Sequence, residues 1–425
     1  MKRICFVFGI LMLVAMYTHG ADTNKKTVSE SIDFHVRGGL PNFFQAIQNN
    51  RSVHISYLGG SITAAQNGWR ELTYNWLRVQ YPCTLLTHNS AAIGGTGSNL
   101  GVFRTDHDVV SNKPDLVFVE FAVNDGGKPR AAVIKTMEGI VRKIWTANPK
   151  ADICFVYTVD KEKIGKLING ELDSAVKAME EVAEHYGIPT IHMGYDVMKL
   201  LQQGKLVFTA GKEENKNKIV FTTDNVHPLS ESGHPIYAHT ITGCFSRMSS
   251  FAIVKPHVLS TPIFNDNWEK AKVIDIADII NDGQWKRMPD DAKMVQSYSS
   301  FLNGIYTGKP GSKIQFSFKG TVLGLFDFVG PKSPVLNVTV DGVKKEVMRF
   351  DAHATYERLA YTVLFDELTD QVHQVEITVS DKTINKADIF KNSPGNLKIL
   401  NDTPQMFNGI EYNIGGILMV GAVVK

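Results

Sequence analysis

The chain has 425 residues, of which 43% are hydrophobic and 21% are charged, and these proportions are typical of a globular protein. Its length exceeds what one ordinary hydrophobic core accommodates, so we expect two domains. The formal net charge of +2 and the lack of any lysine- or arginine-rich run give no reason to expect a nucleic-acid partner.

The N-terminal residues have the pattern of a secretory signal peptide. Lys2 and Arg3 precede an apolar run over 4–16, and Gly20 is a small residue suited to cleavage. The apolar run is short for a membrane span. We therefore predict a signal peptide over 1–20, a secreted or periplasmic protein, and no membrane span after cleavage. A retained anchor is the alternative.

Residues 22–250 are predicted to alternate between strands and helices. Nearly continuous apolar runs favour buried strands, and apolar residues at helical spacing favour helices. The predicted strands cover 53–58, 115–121, 152–157 and 188–192, and the predicted helices cover 69–81, 131–147, 171–186 and 231–247. This alternation predicts a parallel sheet between helical layers, with ligands beyond the carboxyl ends of the strands.

Residues 255–425 are predicted to form a second, all-β domain. Pro256 and Pro262 suggest a linker, and after it apolar and polar residues alternate in short runs. These runs cover 313–318, 321–326, 335–340, 359–365 and 373–379, and an apolar stretch over 415–424 would close a sheet. Asp341-Gly342 is a favourable hairpin turn. We expect a β-sandwich of jelly-roll type.

The α/β region contains the residue types that hydrolysis of an ester requires. Ser61 follows two glycines at the end of a predicted strand, where a tight turn can expose its hydroxyl as a nucleophile. Asp224 and His227 are three residues apart, so the carboxylate can orient the imidazole and leave Nε2 as the base. A surface Asp/His turn is the alternative for that pair.

Three groups are candidates for stabilising an oxyanion: the main-chain N–H of Ser61, the main-chain N–H of Gly95, and the side-chain amide of Asn124. Gly94 is an alternative to Gly95 as the donor. An Asx turn at the end of a strand is the alternative for Asn124.

Trp69 and Arg70 follow the Ser61 turn and are candidates for substrate binding. Packing of the first helix is the alternative for Trp69, and a surface ion pair is the alternative for Arg70.

Two other kinds of site are less consistent with the sequence. A metal bound by His227 with His234 or His239 lacks a compact third ligand, so we predict no metal and no cofactor. A glycosidase pair of Glu120 and Asp125 is disfavoured, because strand residues five apart point to opposite sides.

With these segments in this order, residues 50–245 resemble the SGNH branch of the GDSL esterase/lipase family. The usual Gly-Asp-Ser block is Gly-Gly-Ser at 59–61, and the usual Gly-x-Asn-Asp block is Ala-Val-Asn-Asp at 122–125. The Asp-x-x-His block is matched at 224–227, and Gly95 carries the remaining block.

The resemblance implies a flavodoxin-like three-layer α/β/α fold and metal-independent ester hydrolysis through an acylated serine. The C-terminal stretch resembles jelly-roll modules found beside carbohydrate esterases. We therefore expect an esterase that removes O-acetyl groups from an oligosaccharide or polysaccharide. A lipase or acyltransferase with the same site, and a noncatalytic glycan-binding protein on a degenerate esterase scaffold, are the alternatives.

Overall fold

A computed structural model describes residues 34–210, 217–248, 253–280 and 283–424. The predicted signal peptide lies outside these residues. Within them, no helix combines the length and the apolar composition that crossing a membrane requires.

The α/β region is built on a six-stranded sheet and a separate pair of short strands. The strands are β1 (Phe34–His35), β2 (Val53–Gly59), β3 (Leu86–Ala92), β4 (Leu116–Glu120), β5 (Asp152–Tyr157), β6 (Thr190–His192), β7 (Leu206–Thr209) and β8 (Ile219–Thr222). The order in the main sheet is β1-β6-β5-β4-β2-β3. All neighbours are parallel except β1, which pairs antiparallel with β6. Without β1 this is the flavodoxin-like order, as the resemblance implies.

Helices cover both faces of the sheet. They are α1 (Pro41–Gln48), α2 (Ser61–Ala64), α3 (Trp69–Gln80), α4 (Ser98–Asp108), α5 (Arg130–Ala147), α6 (Lys161–Ile168), α7 (Ser174–Tyr186), α8 (Gly194–Gln202) and α9 (Gly233–Met248). Helices α4, α5 and α7 pack on one face, and α1, α3, α6, α8 and α9 pack on the other. Successive residues of β4 point to opposite faces of the sheet. Val117 and Val119 pack in the core beneath α4, α5 and α7, and Leu116 and Phe118 pack in the core on the other face. The predicted three layers are confirmed.

The second domain is an antiparallel all-β domain, as predicted. Its strands are β9 (Ala271–Asp275), β10 (Lys286–Arg287), β11 (Tyr306–Gly308), β12 (Lys313–Val329), β13 (Val335–Val340), β14 (Val343–Met348), β15 (Arg358–Phe365), β16 (Gln371–Val379) and β17 (Tyr412–Val424). The order is β10-β11-β17-β12-β16-β13-β14, with β15 paired to β12 and β9 paired to β17. Short helices α10 (Lys293–Tyr298), α11 (Lys386–Phe390) and α12 (Pro394–Asp402) lie between strands.

The runs predicted at 313–318 and 321–326 form one strand, β12. Its first part pairs with β16 and its second part with β15, and its pairing with β17 shifts register between Gly320 and Val322. A Cβ on Gly320 would lie 2.2 Å from the carbonyl oxygen of Val420. Gly320 therefore marks a close approach within a strand and not a turn. The predicted hairpin at Asp341-Gly342 is confirmed, because both residues have positive φ between β13 and β14.

The two domains share a hydrophobic core. Trp268, in the linker, packs against Phe103 of α4 with ring centroids 5.4 Å apart. Glu138 of α5 accepts hydrogen bonds from the main-chain N–H groups of Ile263 and Phe264, at 2.6 and 3.1 Å. The linker is thus attached to the α/β domain, and the β domain packs next to α4.

Candidate active site

The predicted site segments meet at the carboxyl ends of the central strands. Ser61 follows β2, Gly95 follows β3 and Asn124 follows β4. Chain order reverses in the sheet between β2 and β4, and this switch point is where open α/β sheets bind ligands. The structure therefore brings the residues of three separate segments to one crevice.

Ser61, His227 and Asp224 form a continuous chain of hydrogen bonds. The Nε2 atom of His227 lies 2.8 Å from the Oγ atom of Ser61. The Nδ1 atom of His227 lies 2.6 Å from the Oδ2 atom of Asp224. The side chains of His227 and Asp224 are 50% and 52% exposed, so the arrangement lies open to solvent.

The hydrogen bonds of Asp224 define the tautomer of His227. Burial raises the pKa of Asp224, but the imidazole of His227 and the N–H groups of His227 and Val226 outweigh that effect and hold this pKa below its usual range. An ionised carboxylate only accepts hydrogen bonds, so Nδ1 carries the proton. Nε2 then has a free lone pair directed at the hydroxyl of Ser61.

The loop that carries this pair is stabilised mainly by its own atoms. The Oδ1 atom of Asp224 accepts from the N–H groups of Val226 and His227, at 2.9 and 2.8 Å, and from the hydroxyl of Thr222 at 3.0 Å. An isolated bridge between Thr222 and Pro228 closes the base of the loop. The Asp-x-x-His spacing thus encodes a turn that presents the imidazole.

Gly60 allows the Ser61 and Asn124 segments to approach each other. A Cβ on Gly60 would lie 2.1 Å from the Oδ1 atom of Asn124 and 3.1 Å from the carbonyl oxygen of Thr96. A larger residue at position 60 would therefore require the side chain of Asn124 to move. Glycine at position 60, where the family usually has aspartate, therefore leaves room for the side chain of Asn124.

The glycine loop after β3 lies beside Ser61. Gly95 has φ of +72°, a conformation that favours glycine, and a Cβ on Gly94 would lie 3.8 Å from the Cβ of Ser61. Ser61 is the first residue of α2, so its N–H has no carbonyl partner within that helix. The choice of Gly95 over Gly94 as donor stays a prediction.

Glu120 lies directly beneath the Ser61 turn and is fully buried. Its carboxyl group accepts from the hydroxyls of Thr63 and Thr158, at 2.8 and 2.6 Å, and from the N–H of Gly60. Burial raises the pKa of Glu120, although these hydrogen bonds partly offset that effect. No motif predicts this role for Glu120, and its one signal in the sequence is a carboxylate within an otherwise apolar strand.

A buried arginine supports the same turn from the other face of the sheet. Arg104 is 2% exposed and donates to the carbonyl oxygens of Ala91 and Gly59, at 2.6 and 3.2 Å. Asp108 balances its charge through a hydrogen bond of 2.6 Å. Arg104 therefore ties the ends of β2 and β3 together where the Ser61 and Gly95 loops begin.

The predicted substrate-binding role of Trp69 and Arg70 is corrected. Trp69 is fully buried and packs edge-on against the rings of Tyr57 and Phe118, so it does not line the crevice. Arg70 is also buried, and its guanidinium donates to the carbonyl oxygen of Thr63 and to Glu71. Arg70 therefore stabilises the end of α2 next to Ser61.

The groups of the alternative sites have structural partners. Glu120 and Asp125 are both buried, and Asp125 accepts from the N–H of Ser98 and from Lys128, so neither can reach a glycosidic bond. His234 accepts from the N–H of Trp69 at 3.2 Å. Burial and the neighbouring His227 lower the pKa of His234 to about 4, which keeps this imidazole neutral at neutral pH.

Comparison with protein families gives one match to this domain. Residues 57–233 match the model of the GDSL-like Lipase/Acylhydrolase family. This part of the α/β domain is therefore similar to members of that family. The match covers the segments of Ser61, Gly95, Asn124 and His227, as the resemblance in the sequence predicts. None of the curated proteins compared with the chain matches it significantly.

Solved structures of a two-domain esterase match nearly the whole chain. One is a structure of a two-domain esterase (CEX) active on acetylated mannans, co-crystallised with mannopentaose, and has a TM-score of 0.68 and 21% sequence identity. The match covers 92% of this chain and 97% of that one. A second structure of the same esterase has a TM-score of 0.69 and 20% identity, over 92% of this chain and 98% of that one. At this identity the match shows a shared two-domain fold.

Proposed function

We propose that this protein is a secreted serine esterase that hydrolyses O-acetyl groups on a carbohydrate. The observation that carries the proposal is the chain of hydrogen bonds from Ser61 through His227 to Asp224. A serine within 2.8 Å of an imidazole whose other nitrogen faces a carboxylate is the arrangement that activates a hydroxyl for acyl transfer.

The acylation step follows from this geometry. The Oγ atom of Ser61 attacks the ester carbonyl carbon while its proton passes to Nε2 of His227. The amide of Asn124 and the N–H groups of Ser61 and Gly95 donate to the oxyanion that forms. His227 then gives its proton to the departing sugar oxygen, which leaves as an alcohol and leaves Ser61 acetylated.

Deacylation repeats the same proton transfers with water. His227 accepts a proton from a water molecule, whose oxygen attacks the acetyl carbonyl carbon of the acylated Ser61. Collapse of the intermediate releases acetate, and the proton returns to the Oγ atom of Ser61. Asp224 remains ionised throughout and stabilises the imidazolium of each transition state.

Two observations support a carbohydrate substrate. The side chains of His227 and Asp224 are half exposed, and such an open site accepts an ester group that projects from a polymer. The esterase whose structures match both domains is described as active on acetylated mannans. Acetylated mannan is therefore the first polysaccharide to test.

The test is release of acetate from acetylated mannan, acetylated xylan and small acetate esters, with Ser61→Ala as the blank. We expect release by the wild type and none by Ser61→Ala. Cleavage of long-chain esters without acetate release from any glycan would favour a lipase. Acetylated sugar products formed with a sugar acceptor present would favour an acyltransferase. Glycan binding without hydrolysis of any ester would favour the noncatalytic alternative.

We also propose that the chain is exported through its first twenty residues. Lys2, Arg3 and the apolar run that follows them support this proposal. Mass spectrometry of the protein from the culture medium or periplasm would test it. We expect the mature chain to begin near residue 21, and an intact N-terminus in the cytoplasm would contradict export.

A further inference from the structure

A tyrosine of the β domain contacts the loops that carry the proposed oxyanion donors. Tyr361 lies on β15, and its hydroxyl donates to the Oδ1 atom of Asn99 at 2.8 Å. Asn99 is the second residue of α4, which begins shortly after Gly95. The ring of Tyr361 packs against the hydrophobic core shared by the two domains, so its position is tied to both.

The hydrogen bonds continue from Asn99 towards Asn124. The Nζ atom of Lys128 donates to the Oδ1 atom of Asn99 at 2.6 Å and to the Oδ1 atom of Asp125 at 2.7 Å. Asp125 is the residue directly after Asn124. The Oδ1 atom of Asn99 therefore accepts from both domains: from Tyr361 in the β domain and from Lys128 in the α/β domain.

Asp125 joins the two donor loops to each other. Its Oδ1 atom also accepts from the N–H of Ser98 at 3.0 Å, in the segment that follows Gly95. A Cβ on Gly97 would lie 2.2 Å from that oxygen and 2.3 Å from the Nζ atom of Lys128, so the loops leave no free space here. Movement of Asp125 would shift the Asn124 and Gly95 segments relative to each other.

The charge of Asp125 makes this connection sensitive to Lys128. Asp125 is fully buried, and its Oδ2 atom has no hydrogen-bond partner. A buried carboxylate depends on its counter-ion, since removal of one partner leaves an uncompensated charge. The hydroxyl of Tyr361 fixes the orientation of Asn99, the second acceptor of Lys128, and so helps to place that counter-ion.

We propose that Tyr361 is a positioning residue for the oxyanion site, acting through Asn99, Lys128 and Asp125. The proposal rests on the esterase function proposed above. It gives the β domain a part in turnover that does not depend on contact with substrate. It therefore predicts an effect on esters too small to reach the β domain.

The decisive experiment compares two single-hydroxyl deletions on a small acetate ester. Tyr361→Phe removes the hydroxyl that bonds to Asn99. Tyr186→Phe is the matched control, because its hydroxyl donates to Glu138 at 2.7 Å beneath the linker, away from the donor loops. We expect Tyr361→Phe to lower kcat by about 3- to 10-fold with little change in KM, since a small displacement of an oxyanion donor affects the transition state alone.

The control defines what counts against the proposal. Tyr186→Phe should retain the kcat of the wild type even where its thermal stability falls as much as that of Tyr361→Phe. An equal loss of kcat in both variants would show a general structural effect and overturn the proposal. A wild-type kcat in Tyr361→Phe, with a raised KM only on acetylated polysaccharide, would identify a glycan contact and also overturn it.

A double-mutant cycle tests the path. Asn99→Ala should lower kcat by about as much as Tyr361→Phe, and the double variant should lose no more than the larger single effect, because both changes interrupt one network. Multiplicative losses would contradict the path. The assay also separates the two proposals: a wild type no more active than Ser61→Ala refutes the esterase function and this inference together. An active wild type with an equally active Tyr361→Phe refutes the inference alone.

Discussion

The two reactive ends of the site are held in place by different means. The loop of His227 and Asp224 is half exposed, and the hydrogen bonds of Asp224 to its neighbours shape it. The turn of Ser61 rests on Glu120 and Arg104, which are buried and come from elements far away in sequence. The proposed base is thus positioned locally, whereas the proposed nucleophile is positioned by the core of the domain.

Because of this difference, substitutions in the His227 loop and substitutions beneath Ser61 should affect activity and stability to different extents. A substitution in the exposed loop lowers the rate of the reaction and leaves the free energy of unfolding nearly unaltered. A change beneath Ser61 leaves buried donors or acceptors without partners, which costs stability as well. Variants of the two regions therefore test whether the comparison holds.

The largest effect is expected from His227→Ala. Loss of the base should lower kcat/KM by about 10,000-fold or more, as removal of a triad member does in serine hydrolases. The free energy of unfolding should change by no more than about 0.5 kcal/mol, because the side chain is half exposed. Steady-state kinetics and denaturant unfolding measure the two quantities. Substantial destabilisation of His227→Ala would contradict the claim that the exposed loop contributes little to stability.

The next largest effect is expected from Asn124→Ala. Loss of one oxyanion donor should lower kcat by about 100- to 1,000-fold with KM nearly constant. Asn124 is half-buried and lies against Gly60, so a moderate loss of stability should accompany the loss of rate. A change in KM alone would show that Asn124 binds the ground state and does not stabilise the transition state.

The sequence was sufficient where the determinants of structure are local. The Asp224/His227 pair could be predicted because that motif defines its own turn. Ser61 could be proposed because two glycines precede it at the end of a predicted strand. The flavodoxin-like order followed from the resemblance. Strand β3 was missed, because this edge strand contains Thr87 and Ser90, which are exposed, in place of a continuous apolar run.

The supporting residues could not be predicted because their contacts span long stretches of chain. Arg104 reaches Gly59 from α4, and no spacing in the sequence indicates that pair. Glu120 was visible as a charge in an apolar strand, but its partner Thr158 follows a different strand. The prediction that Trp69 binds substrate was wrong. The apolar helical spacing around Trp69 already favoured the alternative, packing of the first helix, and the structure buries this side chain.

Glu120→Leu tests the claim that buried residues support the Ser61 turn. Three donors would lose their acceptor: the N–H of Gly60 and the hydroxyls of Thr63 and Thr158. We expect a loss of about 3 kcal/mol in the free energy of unfolding, together with a fall in kcat of about 10-fold as the turn shifts. Glu120→Gln keeps the shape and an acceptor, so it should lose less of both. A Glu120→Leu protein with wild-type stability would contradict the role of the core beneath Ser61.

The last prediction concerns the pH dependence of stability and His234, which lies beside His227. Its pKa of about 4 in the folded protein is below that of an exposed histidine, about 6.5, so the unfolded chain binds the proton more tightly. The stability that this neutral imidazole contributes is fully present above about pH 6.5 and is lost as the pH falls towards about 4. His234→Asn retains an acceptor for the N–H of Trp69 but does not titrate. Denaturant unfolding between pH 7 and 4 should therefore show a flatter decline for His234→Asn than for the wild type. Parallel profiles would mean that His234 is protonated as readily in the folded chain as in the unfolded one, and that the interior beside His227 is more hydrated than its burial indicates.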